Sequence, residues 1–306
     1  MNKEIPIFLA TDDNYSAQTA VTIASMCYNS SSQLKFYILD SGITIENKKR
    51  IEKLKQVFNN CEIEFLEIDM NKAFPTVKYT TTCKNVSFAT YNRFLVPYIK
   101  PEIKKALYSD VDVIAMGDIA QMFEEDIEDY AIGAVWEEYA EGKADRKSWM
   151  EISDKHKYFY AGNIVLNCEL WREKNIFDDI LKLENIWREK LRLSDMDLLN
   201  KYFDCNNYKQ LPVKYCYLNE DYEYRKEQNP EIIIRHFAGL IKPWKADFYI
   251  HPFTNKPYPM PNVDDFWKYA KMTDFYDDLI QIKTSFLSSS ILWKRYNQMV
   301  KKECVK

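Results

Sequence analysis

In the first half of the chain, short apolar runs alternate with longer stretches whose apolar residues recur at helical spacing. Ile5 to Ala10, Leu34 to Leu39, Ile63 to Leu66, Lys105 to Tyr108 and Ala131 to Val135 have the length and continuity of buried strands. Between them, "YSAQTAVTIASMCYN" and "IENKKRIEKLKQVFN" predict helices. Strands alternating with helices of this length predict an α/β fold, a largely parallel sheet covered on both faces. Ligand sites in such sheets lie beyond the carboxyl ends of the strands.

The second half continues with "YFYAGNIVLN" as a strand and "CELWREKNIFDDILKLENIWREKL" as one or two amphipathic helices. "SDMDLLNKYF" starts a further helix. Ser194 followed three residues later by Asp197 has the form of a capping box, which puts Asp195 and Asp197 in the first turn. Strand-like "EIIIRHF" follows within a segment rich in Tyr, Pro and charge. The end of the chain differs: Phe286, Leu287, Ile291, Leu292, Trp293 and Tyr296 stand beside Lys294, Arg295, Lys301, Lys302 and Lys306, with Glu303 the one acidic residue after Trp293. Aromatics beside cations suit an anionic membrane surface, and equally a solvated terminal helix packed on the body.

Composition narrows the classes. Forty-two basic and 46 acidic side chains leave a net charge of -4, so no global positive field attracts nucleic acid. Seven scattered cysteines without a CxxC pair fit neither a disulfide framework nor a zinc site, and a reducing cytoplasm is the natural compartment. The opening "MNKEIPIFLATDDNY" has an apolar run too short for a signal-peptide core, and nowhere do roughly 18 apolar residues run together to span a membrane.

The candidate chemistry sits in "LYSDVDVIAMGDI", where Asp110 and Asp112 interrupt an apolar run. Residues two apart in an extended chain point to one side at roughly 6 to 7 Å, so both carboxylates can face one ligand. Such a pair repels itself unless a cation sits there, and oxygen ligands favour Mg2+ or Mn2+. Alternatively one Asp caps a turn and the other is solvated. "DVDVI" also approaches the nucleophile segment of haloacid-dehalogenase-type phosphatases, with Ile114 where that segment has Thr or Val. The six glycines form neither GxGxxG nor GxxxxGK[ST], so any nucleotide phosphates must be held by metal and cationic side chains. "RHFAGLIKPW" offers His236, Gly239 and Lys242 for that purpose. The three histidines lack a neighbouring Ser or Cys constellation for acyl transfer.

These stretches, in this order, resemble glycosyltransferase family 8, the retaining enzymes that include bacterial lipooligosaccharide galactosyltransferases and glycogenin. "FLATDDNY" is similar to its first strand and uridine loop, "ATYNRFLVP" to its Arg-bearing helix and "LYSDVDVIAMGDI" to its DxD segment. "YFYAGNIVLNCELWR", "DMDLLN" and "HFAGLIKPWK" are similar to its later motifs, so the resemblance covers roughly residues 5 to 250. It implies a GT-A-like, single Rossmann-like domain over residues 1–265 with a mixed, mainly parallel sheet, and a retaining transfer of galactose or glucose from a UDP-sugar to a glycan or glycolipid acceptor. Residues 266–306, beyond the resemblance, are expected from their basic and aromatic residues to form a helical tail that either associates with the cytoplasmic face of the membrane or packs on the body. Asp110, Asp112 and His236 would bind Mn2+, with Mg2+ as substitute. Ala10, Thr11, Asp12, Asn14 and Tyr15 would hold uridine, Tyr15 stacking on the base, and the Val111 backbone would touch the ribose. Gly239 and Lys242 would take the phosphates. Arg93, Asp195 and Glu137 would face the transferred sugar, in a donor pocket shared with Ala161, Gly162 and Met196.

Two positions depart from the family pattern. Phe159, Tyr160, Ala161, Gly162 stand where Phe-Asn-Ala-Gly is common, and Asp195, Met196, Asp197 where Asp-Gln-Asp is common. Both lost amides belong near the sugar, which leaves the donor hexose open and keeps a non-catalytic UDP-sugar-binding scaffold as the alternative reading. The segments Thr76 to Asn85 and Tyr215 to Arg225 are expected to close over the donor.

Overall fold

A computed structural model describes residues 4–77, 88–138, 144–219, 221, 231–239, 241–250, 256–289 and 294. Most of the segment Thr76 to Asn85, part of Tyr215 to Arg225, and the tail beyond Ser289 apart from Lys294 lie outside the described residues.

The strands are β1 (Ile5–Thr11), β2 (Leu34–Asp40), β3 (Cys61–Glu67), β4 (Lys105–Ser109), β5 (Val113–Ala115) and β6 (Ile132–Trp136). They continue as β7 (Phe159–Asn167), β8 (Lys209–Leu211), β9 (Ile234–His236), β10 (Phe248–Ile250) and β11 (Pro257–Pro259). Among the described residues, seven form one sheet in the order β3-β2-β1-β4-β7-β6-β8. Neighbours pair in parallel except β7, which runs antiparallel to both β4 and β6. The sheet is therefore mixed and mainly parallel, as expected. Chain order reverses at β1, flanked by β2 and β4, so the carboxyl ends of β1 and β4 open side by side onto a switch point.

The five anticipated strands of the first half form within a few residues of their expected bounds. "IENKKRIEKLKQVFN" breaks into two helices, Ile45–Glu52 and Leu54–Val57, at Lys53. "EIIIRHF" contributes β9, which leaves the main sheet and pairs antiparallel with β5, Val113 opposite His236. Two apolar clusters cover the sheet faces. One gathers Ile7, Leu9, Ile23, Phe36, Ile38, Leu107 and Val165, the other Phe8, Tyr91, Phe94, Tyr108, Ile164 and Trp171. A third joins Val21, Ile114, Phe237 and Trp244 to Phe266, Tyr269 and Leu279, so the described helices Val263–Ala270 and Tyr276–Ser289 pack on the body.

Polar residues inside helix Ser16–Asn29 have a specific task. Among the described residues β5 pairs with β9 on one edge, and a buried strand edge must still satisfy its backbone groups. Thr22 donates to the carbonyls of Val111 (3.1 Å) and Val113 (2.8 Å), Ser25 accepts from Ala115 N (2.8 Å), and Asn29 donates to Ala115 O (2.9 Å). The helix thereby fixes the backbone immediately after Asp110.

Candidate active site

The carboxylate pair lies in the short turn between β4 and β5, at the switch point. Asp110 N donates to Gly162 O at 2.6 Å, tying the turn to β7, and Phe237 N donates to Asp112 O at 2.9 Å, tying it to the chain after β9. His236 is held by β9 against the same turn. Its Nε2 lies 3.1 Å from Asp112 Oδ1 and 4.0 Å from Asp110 Oδ2. One ligand atom from each of Asp110, Asp112 and His236 falls within 4.8 Å of the others. Gly162 backs this cluster: a Cβ there would sit 2.6 Å from Asp110 Oδ2 and 2.7 Å from His236 Cε1. Two carboxylates and an imidazole, converging where a methyl group has no room, fit a divalent cation with hard-to-borderline preference.

Cations surround the pair. Lys242 Nζ reaches Asp112 Oδ2 and donates to Phe237 O at 2.7 Å. Burial alone would raise the Asp112 carboxyl, but Lys242 and His236 hold it far below the usual carboxylate range. Burial likewise opposes charge on His236, and the facing Asp112 overcomes it, lifting the imidazole to about 10.

Arg93, from the 3-10 segment Phe88–Leu95, spans the other side. Its Nη2 lies 3.0 Å from Asp110 Oδ1 and its Nε 2.9 Å from Asp195 Oδ2. Its Nη1 donates to Ala161 O, Nε also donates to Thr90 O at 2.9 Å, and the guanidinium lies over the Tyr108 ring. Tyr108 OH donates to Asp110 Oδ1 at 3.3 Å. Burial pushes Asp195 up, Arg93 pulls it down and Asp110 adds repulsion, leaving it at about 6.

Asp195 opens helix Asp195–Tyr202, as expected, but the cap differs from a capping box. Ser194 has φ 57° and makes no side-chain cap. Asp197 does not cap the helix but anchors the segment before it, accepting from Arg192 N and Leu193 N at 2.7 Å each and from Tyr158 OH at 2.6 Å. Asn200, one turn on, exchanges hydrogen bonds with the Phe159 backbone N (2.8 Å) and O (2.9 Å), so the helix is stitched to β7 and Asp195 is delivered to Arg93.

The nucleotide-loop residues follow β1. Ala10 and Thr11 end the strand, and Asp12 Oδ1 caps the turn through Asn14 N at 3.0 Å. Tyr15 stands edge-on to Trp244, and burial, with the charges of Asp112, Asp12 and Asp110, raises its hydroxyl to about 12. Asn14 is exposed, Met196 packs its side chain against the second apolar cluster, and neither hydrogen-bonds to the charged group. Val111 is buried, its carbonyl engaged by Thr22. Glu137 follows β6, buried, its N–H on Tyr158 O. Gly239 adopts φ +97°, a left-handed conformation that favours glycine. Asp13, passed over in the sequence, anchors the loop from outside by accepting from Thr44 N, Thr44 Oγ1 and Asn47 Nδ2 at 2.8 to 2.9 Å. Tyr108, Ser109, Asn163 and Cys216 were also passed over. All four are buried about the carboxylates and His236, and no spacing rule marks them.

Residues 6–247 match the family described as Glycosyl transferase family 8. General stress protein A of Bacillus subtilis is 29% identical over 269 residues, covering 82% of this chain and 90% of that protein. The lipopolysaccharide 1,3-galactosyltransferase of Salmonella typhimurium is 26% identical over 270 residues, covering 81% and 77%. Among solved structures, the galactosyltransferase LgtC in complex with donor and acceptor sugar analogs superposes with a TM-score of 0.75 at 21% identity, covering 88% of this chain and 96% of that one. That likeness is one of fold, a GT-A type. The family match spans every element that builds the site, from β1 to Lys242, and the chain belongs to glycosyltransferase family 8.

Proposed function

We propose that the chain is a retaining hexosyltransferase that moves galactose or glucose from a UDP-sugar to a glycan acceptor such as lipooligosaccharide, forming an α-glycosidic bond. The observation that carries this reading is the convergence of Asp110, Asp112 and His236 within 4.8 Å at the switch point, with Arg93 and Asp195 joined to Asp110 on one side and Lys242 on the other. Asp110, Asp112 and His236 would hold Mn2+ or Mg2+. The ion, when bound, supplies Lewis-acid neutralisation of the diphosphate.

Lys242 is a point charge whose place on Asp112 would pass to a phosphate oxygen, stabilising negative charge as UDP departs. Tyr15 offers a ring for the uracil, beside Ala10, Thr11, Asp12 and Asn14. Arg93 and Asp195 contact the transferred sugar, and their mutual ion pair keeps both side chains in one orientation. Attack on the donor's front face breaks the anomeric carbon–phosphate oxygen bond and forms the bond to the acceptor oxygen, whose proton goes to the departing phosphate. Residues 1–265 would carry this chemistry, and the basic, aromatic end of 266–306 would rest on the anionic cytoplasmic face of the membrane. Among the described residues no helix is long and apolar enough to cross a membrane.

UDP release from a panel of UDP-sugars tests the proposal. Mn2+-dependent release from UDP-galactose or UDP-glucose, lost in Asp112→Ala, is expected. Release from no donor would overturn it in favour of the scaffold that Tyr160 and Met196 keep open. Because Phe286 and Leu287 pack against the third cluster, the tail is tested by truncation after Ser289. Unchanged partition onto anionic vesicles would refute the membrane role.

A further inference from the structure

A row of buried polar side chains runs from the strand before Asp110 to the imidazole of His236. Ser109 Oγ donates to Asn163 Oδ1 at 2.8 Å, and the two are cross-strand partners in β4 and β7. That bond turns the amide nitrogen of Asn163 toward Cys216, with Nδ2 3.6 Å from Sγ. The same sulfur lies 3.6 Å from His236 Nδ1. Ser109 and His236 are nearly enclosed, and Asn163 and Cys216 are completely so. Polar groups are costly to enclose unless they are paired, and apolar side chains of similar size would fill this space without that constraint.

What the row accomplishes follows from the two nitrogens of His236. Nε2 faces Asp112 and Asp110, and a nitrogen binds a cation through its lone pair, so the ring proton must then reside on Nδ1. Ligating imidazoles are held in that form by an acceptor on the far nitrogen. We infer that Ser109, Asn163 and Cys216 are positioning residues for the cation site. Ser109 orients the Asn163 amide, the amide N–H holds the Cys216 sulfur, and the sulfur accepts Nδ1–H of His236, presenting the Nε2 lone pair between the carboxylates. Gly162 completes the arrangement: it leaves room for the ring where a Cβ would stand 3.2 Å from Nδ1. The inference rests on the reading that Asp110, Asp112 and His236 hold a divalent cation.

The test is Mn2+ binding to the full chain, followed by the electron paramagnetic resonance of free Mn2+ without donor or turnover. Cys216→Ala should weaken Mn2+ affinity about ten- to a hundredfold. Cys216→Ser keeps an acceptor at the same place and should restore most of it. Ser109→Ala frees the amide and should shift affinity in the same direction by less. With histidine nitrogen-15 labelling and diamagnetic Mg2+, just three histidines contribute signals. The His236 signal should show Nδ1 protonated in the wild type and lose that definition in Cys216→Ala. Wild-type Mn2+ affinity in Cys216→Ala, or a loss in Cys216→Ser equal to that in Cys216→Ala, overturns the inference. Should Cys216→Ala fail to fold, unchanged affinity in Ser109→Ala does so instead. A wild-type chain that binds no Mn2+ overturns the cation reading itself, and the positioning role with it.

Discussion

Gly162→Ala adds one methyl group at the point where three parts of the site meet. The new Cβ would stand 2.6 Å from Asp110 Oδ2, 2.7 Å from His236 Cε1 and 3.2 Å from His236 Nδ1. Carbon contacts settle at about 3.5 to 4.0 Å, so the neighbours must yield by roughly 1 Å. Neither is free to do so. Asp110 is held by Arg93 and Tyr108 on its other oxygen, and His236 by Asp112 on one side and Cys216 on the other. Overpacking of this kind costs about 1 to 3 kcal/mol, which lowers Tm by a few degrees and leaves a folded protein. A displacement of about 1 Å in positioned groups can cost about a hundredfold in rate. The substitution should therefore separate the two readouts: a small loss of Tm by calorimetry, and a loss of about two orders of magnitude in Mn2+-dependent UDP release, with weakened Mn2+ affinity. Wild-type release and Mn2+ binding in Gly162→Ala would refute the convergence of Asp110 and His236 on one ion.

Three further outcomes follow from the charged cluster. Arg93→Ala leaves the buried Asp195 without its partner and should destabilise by about 3 to 5 kcal/mol in urea unfolding; stability like the wild type would show that the Arg93–Asp195 pair is not held in solution. Asp195 titrates at about 6 in the fold against 3.8 ordinarily, so the folded chain binds the extra proton between these values. The stability this contributes is present below the lower value and lost as pH rises through the upper, roughly 3 kcal/mol in all. Asp195→Asn should flatten the fall in stability over that window relative to the wild type, and parallel curves would refute the assignment. Mn2+ with UDP at about 100 times their dissociation constant should add about 2.7 kcal/mol of stability to the wild type. An equal gain in Asp112→Ala would place the ion elsewhere.

The sequence was most legible where a single property repeats. β1, β2 and β4 are largely buried and read as apolar runs, and "DVDVI" stood out because carboxylates are rare in such a run. What escaped reading depends on distant partners. β7 reads as a strand, but its antiparallel direction is set by pairing with β4 and β6, which a linear pattern does not record. Thr22, Ser25 and Asn29 look like polar interruptions of an amphipathic helix until the bare edge of β5 is found against them. Asp12 and Asp13 are adjacent and alike in sequence, yet one caps its own turn and the other reaches across to Thr44. Ser194 and Asp197 had the spacing of a capping box, yet with Ser194 at φ 57° no side chain caps the helix, and Asp197 binds the N–H groups of Arg192 and Leu193 before it.

The irregularity of β7 links several of these features. Phe159 and Ala161 face the second apolar cluster, and strict alternation would send Asn163 there as well. Ile164 faces that cluster instead, while Tyr160 and Val165 face the first. The pairing with β6 slips by three residues between Ala134 opposite Ile164 and Trp136 opposite Phe159, and this odd slip reverses the alternation of β7 between Ala161 and Ile164. Bulges re-aim side chains beside active sites. Here the bulge gives Gly162 to the cluster of Asp110 and His236 and turns Asn163 toward Ser109 and Cys216. Asn163, three residues on from Tyr160, uses its amide inside the protein, on Ser109 and Cys216. Substituting Tyr160 should therefore alter donor preference while leaving Mn2+ affinity intact, whereas substituting Asn163 should do the reverse. That division separates the donor-choosing role proposed for Tyr160 from the cation-positioning role proposed for Asn163.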